Sequence, residues 1–179
     1  MAFIEFIHPS WPVNKNVFCV STTTSGGVST NAFKSLNLGA HVGDDLHNVE
    51  LNRQRLAAEL NCCVPNVKPL SWLNQTHSTK VLRLSAPTGA GSVEADAAFT
   101  NVPNLPCSVM TADCMALMIA NTNGTEVAAV HAGWKGLLNG VIENTVKQFS
   151  SPRSEIHVWF APSICQQHFE VGEDLKTLF

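Results

Sequence analysis

The sequence is poor in charge and lacks any strongly basic character. Charged residues make up 14% of the 179 positions, the formal net charge is −3, and the isoelectric point is about 6.1. Proteins that bind nucleic acid present a basic patch to the phosphates, so this composition argues against nucleic acid as a partner. Apolar residues nevertheless make up 45%, which is enough for a chain of this length to bury a substantial core.

Long apolar runs and targeting features are also lacking. No run approaches the ~20 residues that span a bilayer, which predicts no membrane partner. The start, MAFIEFIHPSW, has neither a basic stretch nor a long apolar core, so we expect no signal peptide and a cytoplasmic protein. The six cysteines are then expected to be reduced thiols, and the absence of any C-x-x-C pair excludes the common zinc-finger and thioredoxin spacings.

The chain reads as many short strands and few helices. Helical spacing of apolar residues predicts helices over 45–60, capped by Asp44 or Asp45, and over 134–149. An Asn123-Gly124 turn predicts a hairpin. This pattern favours an α+β fold, a mixed β-sheet sandwich with flanking helices, in a single domain over residues 1–179. Apolar and β-branched runs predict strands over 17–24, 79–85, 94–100, 106–112, 114–121, 125–131 and 155–162.

Three residues able to bind a metal stand at predicted strand ends or in a short loop: His77, Cys114 and His131. They are separated by 37 and 17 residues, so only the fold can bring them together. Two imidazoles and one thiolate suit zinc, and three protein ligands leave a fourth position open, as catalytic zinc sites require. Spacing alone leaves open that each is an ordinary hydrogen-bonded histidine or a buried thiol. Asp113, beside Cys114, can serve as an acceptor behind the ligands or as a proton carrier.

Eight short motifs occur in a fixed order along the chain: TTSGGVS, SLNLGAHVGDD, NRQRLAAEL, NQTH, EADAAFT, TADCMALMIA, VAAVHAGWKGLLNGVIENTV and APSICQQHFEVG. Together they resemble the YfiH-like proteins, which carry laccase-domain, multicopper polyphenol oxidase, purine nucleoside phosphorylase and peptidoglycan editing factor labels. The resemblance runs from about residue 17 to the end. It implies that His77, Cys114 and His131 bind one metal, usually zinc, and that the fold is related to the deamidating toxins, which are cysteine hydrolases.

The chain departs from the family pattern in places that bear on the site. Ser78 stands where the family usually has Gly after the histidine. Lys135 replaces an Arg, which keeps the charge but loses the planar fork suited to phosphate. The family also continues for several tens of residues past Phe179, so we expect this domain to lack the family's C-terminal segment.

Counting histidines tests the laccase label. A four-copper oxidase needs more imidazoles than the seven histidines here can supply. We therefore reject laccase chemistry as the primary activity. A copper-dependent polyphenol oxidase stays an alternative only through the historical label, and copper in the zinc site is possible because copper binds such ligands more tightly.

The resemblance implies a zinc-dependent purine nucleoside enzyme. Phosphate would attack adenosine, inosine or methylthioadenosine, and adenosine deamination is a possible second activity. We expect Lys135, at the start of the second helix, to attract phosphate, and Asn37 and His41 to hydrogen-bond the ribose or base. Asp113 would relay a proton. Trp134 begins an apolar stripe and is predicted to be a core anchor rather than a platform for a base.

Two other function classes stay open. In one, Cys114 is a nucleophile with His131 as its base, which would make the protein an amide hydrolase that edits a cell-wall precursor. In the other, the chain binds a metal without catalysing a reaction. The oligomeric state is left open by the sequence.

Overall fold

The computed structural model describes residues 3–89, 91 and 93–179, and the chain divides into two compact units. The first comprises the chain up to Ser10 together with Phe18–Pro69, and the second comprises Trp11–Val17 and Leu70–Phe179. Each unit is described by itself, and the single domain expected over residues 1–179 stays a prediction.

The first unit contains a small hairpin and one long helix. Strands β1 (Phe6–Ile7) and β2 (Ser21–Thr22) pair antiparallel, so the strand predicted over 17–24 is reduced to two residues. Helix α1 spans Leu46–Cys63. Its N-cap is Asp45, whose carboxylate accepts the backbone N–H of His47 at 2.8 Å, as the capping pattern predicts.

The second unit is built on a five-stranded mixed sheet. Its strands are β3 (Val81–Arg83), β4 (Ala97–Thr100), β5 (Met115–Asn121), β6 (Val127–Ala132) and β7 (Ile156–Phe160). The strand order is β3-β4-β6-β5-β7, with β3 and β4 parallel and every other pair antiparallel. Strands β5 and β6 form the predicted hairpin, in which Gly124 has φ +70°, a conformation that favours glycine. The α+β class and the mixed sheet are confirmed.

Two short helices follow β6 and pack on the sheet, and a further short helix, α4 (Glu173–Lys176), lies near the end of the chain. Helices α2 (Trp134–Asn139) and α3 (Val141–Val146) replace the single helix predicted over 134–149. The break is at Gly140, which has φ +92° and so caps α2 in the left-handed conformation. Buried Val141 and Phe149 join the apolar core of the sheet around Phe99, Leu117, Ile119 and Val130.

The strand predicted over residues 106–112 is not a strand. Pro103 precedes this segment and Pro106 is its first residue, and neither has an N–H group that could join a ladder. The side-chain amide of Gln75 instead forms hydrogen bonds with both backbone groups of Met110. Its Nε2 donates to the Met110 carbonyl and its Oε1 accepts the Met110 N–H, each at 2.7 Å. In the described part of the chain, no helix has the length and apolar content needed to cross a bilayer.

Candidate metal centre

His77, Cys114 and His131 come together at one end of the sheet of the second unit. His131 is the next-to-last residue of β6, Cys114 directly precedes β5, and His77 lies in the loop before β3. The register that pairs Ala116 with His131 brings the start of β5 alongside the end of β6. One ligand atom from each residue lies within 4.8 Å of the others, and Cys114 Sγ is 4.0 Å from His77 Nε2. The convergence expected from the sequence is therefore present.

The donor set and its spacing fit a zinc ion. Zn–N bonds of about 2.0–2.1 Å and a Zn–S bond of about 2.3 Å place tetrahedral ligand atoms roughly 3.5 Å apart. The three ligand atoms, which lie within 4.8 Å of one another, would therefore have to move closer together by up to about 1.3 Å to bind the ion. The two imidazole rings meet edge to face, with centroids 4.8 Å apart and planes at 78°. His131 is buried whereas His77 is exposed, so the fourth coordination position can face solvent or substrate.

A carboxylate that the sequence analysis did not select lies behind both histidines. Asp96 directly precedes β4, and its side chain is fully buried. Its Oδ1 is 2.8 Å from His131 Nδ1, and its backbone carbonyl accepts the N–H of His131 at 2.7 Å. A buried carboxylate requires a partner, so an acidic residue inside the apolar word EADAAFT was the signal that could have identified it.

The same carboxylate organises the loop that carries His77. It accepts the backbone N–H groups of three consecutive residues: Thr76 at 3.2 Å, His77 at 2.9 Å and Ser78 at 2.6 Å. The Ser78 hydroxyl adds a further bond at 2.7 Å. His77 itself has φ +59°, which a non-glycine residue rarely adopts. The hydrogen bonds to Asp96 therefore hold His77 in an unfavourable backbone conformation.

The pKa values of the two acidic groups at the centre shift in opposite directions. Burial acts to raise the pKa of the Asp96 carboxyl, but the hydrogen bonds from His131, Ser78 and Thr76 outweigh it and hold that pKa below its ordinary value. Burial, followed by the negative charges of Asp113 and Asp96, raises the pKa of the Cys114 thiol. Without a metal, the surroundings of Cys114 therefore favour the neutral thiol.

Gly133 lies against two of the three ligands. A Cβ atom at this position would be 2.8 Å from Cδ2 of His77 and 3.2 Å from Sγ of Cys114. Real Cβ atoms essentially never approach another heavy atom as closely as the first of these distances. A side chain at residue 133 would therefore displace the His77 ring from its place beside Cys114.

The other residues expected at the site lie around it in the second unit. Asp113 is exposed, and its backbone carbonyl accepts the N–H of Ile164 at 3.0 Å. Lys135 is exposed in the first turn of α2, with Nζ 5.4 Å from the centroid of the Trp134 ring. Trp134 is 36% exposed, so its prediction as a core anchor is wrong. The apolar stripe that suggested it continues in α3 on the far side of the break at Gly140.

Asn37 and His41 belong to the first unit. The Asn37 amide is largely used within its own loop: Nδ2 donates to the Gly39 carbonyl at 3.2 Å and to Asp44 at 3.0 Å, and Oδ1 accepts the Gly39 N–H at 3.0 Å. His41 is exposed. Substrate binding by these two residues stays a prediction, with His41 the freer of the two.

Comparison with known proteins identifies the family. A family model described as multi-copper polyphenol oxidoreductase laccase matches residues 18–179. The chain is 46% identical over 176 residues to a Haemophilus influenzae protein named purine nucleoside phosphorylase, covering 98% of this chain and 70% of that protein. It is also 46% identical over 175 residues to Escherichia coli K12 purine nucleoside phosphorylase YfiH, with the same two shares. The chain belongs to the YfiH family.

A solved structure supports the same assignment. The crystal structure of a Neisseria meningitidis protein of the DUF152 family superposes with a TM-score of 0.87 at 38% identity, covering 97% of this chain and 69% of that one. The YfiH resemblance and the α+β fold predicted from the sequence are confirmed. The family model's name refers to several coppers, whereas the described residues hold a single cluster of three metal-ligating side chains.

Proposed function

We propose that this protein binds one zinc ion through His77, Cys114 and His131 and catalyses the phosphorolysis of purine nucleosides. The observation that carries the proposal is the convergence of the three ligand atoms within 4.8 Å. It is supported by the 46% identity to proteins named purine nucleoside phosphorylase. Two imidazoles and a thiolate with an open fourth position are the donor set of a catalytic rather than a structural zinc.

The proposed reaction exchanges one bond at the sugar for another. A phosphate oxygen forms a bond to C1′ of the ribose while the bond from C1′ to the purine nitrogen breaks. The electron pair leaves with the base, which takes up a proton, and the products are a free purine and ribose 1-phosphate. The bound metal would supply Lewis-acid polarisation of an oxygen atom at its open position.

Two exposed side chains beside the ligands have proposed roles in this reaction. Lys135 is two residues beyond Gly133, and its ammonium group would attract phosphate as a point charge. Asp113 is exposed next to Cys114 and would carry a proton to or from the base. In the first unit, Asn37 and His41 are the proposed contacts of the sugar or base. Deamination of adenosine is a proposed second activity of the same centre.

The amide-hydrolase alternative is less well supported. It requires Cys114 to be an activated thiolate, but burial and the charges of Asp113 and Asp96 raise its pKa. In such surroundings a bound metal would displace the thiol proton into solvent, whereas without a metal the thiol keeps its proton at neutral pH. Rapid alkylation of Cys114 in zinc-free protein at neutral pH would therefore favour the hydrolase over the metal enzyme.

The test combines metal analysis with product analysis. We expect the purified, zinc-loaded protein to release hypoxanthine from inosine only when phosphate is present, with ribose 1-phosphate as the second product. His77→Ala, Cys114→Ser and His131→Ala should each lose zinc and this activity. His47→Ala, which removes an exposed histidine of the first unit, is the matched control and should retain both. Release of free ribose without phosphate, or full zinc content in all three variants, would contradict the proposal.

A further inference from the structure

We propose that Asp96 is a positioning residue that fixes both histidines of the metal centre at once. The proposal rests on the metal-binding part of the proposed function and is independent of which nucleoside reaction follows. Asp96 is not one of the three clustered ligand residues. Its action is on the orientation of His131 and on the backbone of the His77 loop.

The first action fixes which nitrogen of His131 is available. Oδ1 of Asp96 lies 2.8 Å from Nδ1 of His131. A carboxylate oxygen only accepts, so Nδ1 carries the proton and its N–H donates a hydrogen bond to Asp96. Nε2 is then left with its lone pair and is the atom that can bind a metal. The backbone bond from the His131 N–H to the Asp96 carbonyl, at 2.7 Å, holds the two residues side by side at the end of the sheet. Ring and backbone of His131 are thus both held by the same residue.

The second action shapes the loop of His77. The N–H groups of Thr76, His77 and Ser78 all point at the Asp96 carboxylate, at 3.2, 2.9 and 2.6 Å. Three successive N–H groups can converge on one anion only if the chain curls around it, and the φ of +59° at His77 is part of that curl. The carboxylate therefore holds the conformation that directs the exposed His77 ring towards Cys114.

Asp96 has no capacity left to bind the metal itself. Oδ1 accepts from His77 and His131, and Oδ2 accepts from Thr76 and twice from Ser78. These bonds use all the acceptor sites that a carboxylate offers. The fourth coordination position is therefore not taken by Asp96.

A purely structural role for Asp96 would have different consequences. Removing any buried, hydrogen-bonded carboxylate destabilises a fold, but only a positioning residue changes the metal affinity and the protonated nitrogen of His131. Glu126 offers the matched comparison in the same unit. It is 6% exposed and accepts the N–H groups of Ser150 and Ser151 and the Ser151 hydroxyl, and it is not among the three clustered ligands.

The decisive substitution is Asp96→Asn, which keeps the size but replaces one acceptor oxygen with an NH₂ group. Zinc affinity is measured by competition with a chromophoric chelator, and folding by thermal unfolding of the zinc-free proteins. We expect Asp96→Asn to weaken zinc binding about 10- to 100-fold, the usual effect of losing a partner of a ligating histidine. Glu126→Gln should lower the unfolding temperature with zinc affinity within about twofold of wild type. Ser78→Ala, which removes one of the hydrogen bonds, should have a smaller effect than Asp96→Asn.

A direct measurement on the unmodified protein completes the test and does not depend on the variant folding. Long-range ¹H–¹⁵N spectra of the zinc-free protein report which nitrogen of each histidine carries the proton. We expect the Nδ1–H form for His131. The Nε2–H form, or a folded Asp96→Asn protein with wild-type zinc affinity, would overturn the proposal. A wild-type protein that binds no zinc would instead refute the metal centre, while the spectra would still decide whether Asp96 orients His131.

Discussion

Substituting Gly133 by Ala tests whether the packing of the ligands sets the metal affinity. The added Cβ atom would lie 2.8 Å from Cδ2 of His77 and 3.2 Å from Sγ of Cys114. Ordinary van der Waals contact begins at 3.4 Å, so the His77 ring must move by about 0.6 Å. His77 is exposed and its ring can rotate, so the protein should still fold.

The displacement is large on the scale of metal coordination. Zinc–ligand distances in a bound site are held to about ±0.2 Å, so the His77 ring has little freedom to avoid the added Cβ atom while it binds zinc. Weakening one of three protein ligands in this way should reduce zinc affinity by at least about tenfold, which corresponds to about 1.4 kcal/mol. The free energy of unfolding of the zinc-free protein should change by less than the free energy of zinc binding. Ala lowers the conformational entropy of the unfolded chain, which offsets part of the cost of the contact with His77.

Chelator competition measures the affinity and urea unfolding of the zinc-free protein measures the stability. Gly39→Ala is the matched control, since a Cβ there would make only ordinary contacts, the nearest at 3.4 Å. Its zinc affinity should equal that of wild type. If Gly133→Ala kept wild-type affinity while remaining folded, the inference that the three ligands pack against residue 133 would be refuted.

Three further perturbations follow from individual contacts. Lys135→Met should raise the KM for phosphate about two- to fivefold without changing the zinc content, because an exposed charge contributes less than about 1 kcal/mol to binding an anion. An unchanged KM for phosphate would contradict the proposed role of Lys135. Asp45→Ala removes the N-cap of α1 and should lower the free energy of unfolding, measured with urea, by about 1 kcal/mol. An unchanged free energy of unfolding would show that the hydrogen bond from the His47 N–H to Asp45 does not stabilise the helix. Burial raises the pKa of the Cys107 thiol to about 12 from an ordinary 9.0. The unfolded chain therefore releases that proton first, so the free energy of unfolding should fall as the pH rises above 9, and less steeply in Cys107→Ala.

The hairpin and the ligand set were accessible from the sequence because each has a local or chemical signature. The Asn123-Gly124 turn lies between two apolar runs, and this pattern fixes both the partner and the approximate register of β5 and β6. His77, Cys114 and His131 were candidates because two imidazoles and a thiolate, at predicted strand ends or in a short loop, are a donor set that suits zinc. The resemblance to the YfiH-like family then favoured the metal over separate hydrogen bonds.

The features that were missed depend on tertiary contacts. Residues 106–112 have strand composition, but Gln75, 35 residues away from Met110, supplies the hydrogen bonds that a neighbouring strand would have made. A glycine within a continuous apolar stripe can either lie inside one long helix or end a helix in the left-handed conformation, as Gly140 does. The spacing of the apolar residues is the same in both cases and does not distinguish them. Asp96 was overlooked in favour of Asp113 because proximity in sequence to Cys114 is visible and proximity in space to His131 is not.

The strand order explains why the carboxylate and two of the ligands meet. β4 and β5 both pair antiparallel with β6, so they run parallel to each other, and their starts lie at the same end of the sheet as the end of β6. Asp96 precedes β4, Cys114 precedes β5 and His131 is in the last part of β6, so adjacent strands present the three residues side by side. If β5 lay between β4 and β6 in the sheet, His131 on β6 would be two strand spacings, about 10 Å, from Asp96. No hydrogen bond between the two side chains could then form. The identity of the ligands can be read along the chain, but the pairing of β6 with β4 is what gives His131 its carboxylate partner.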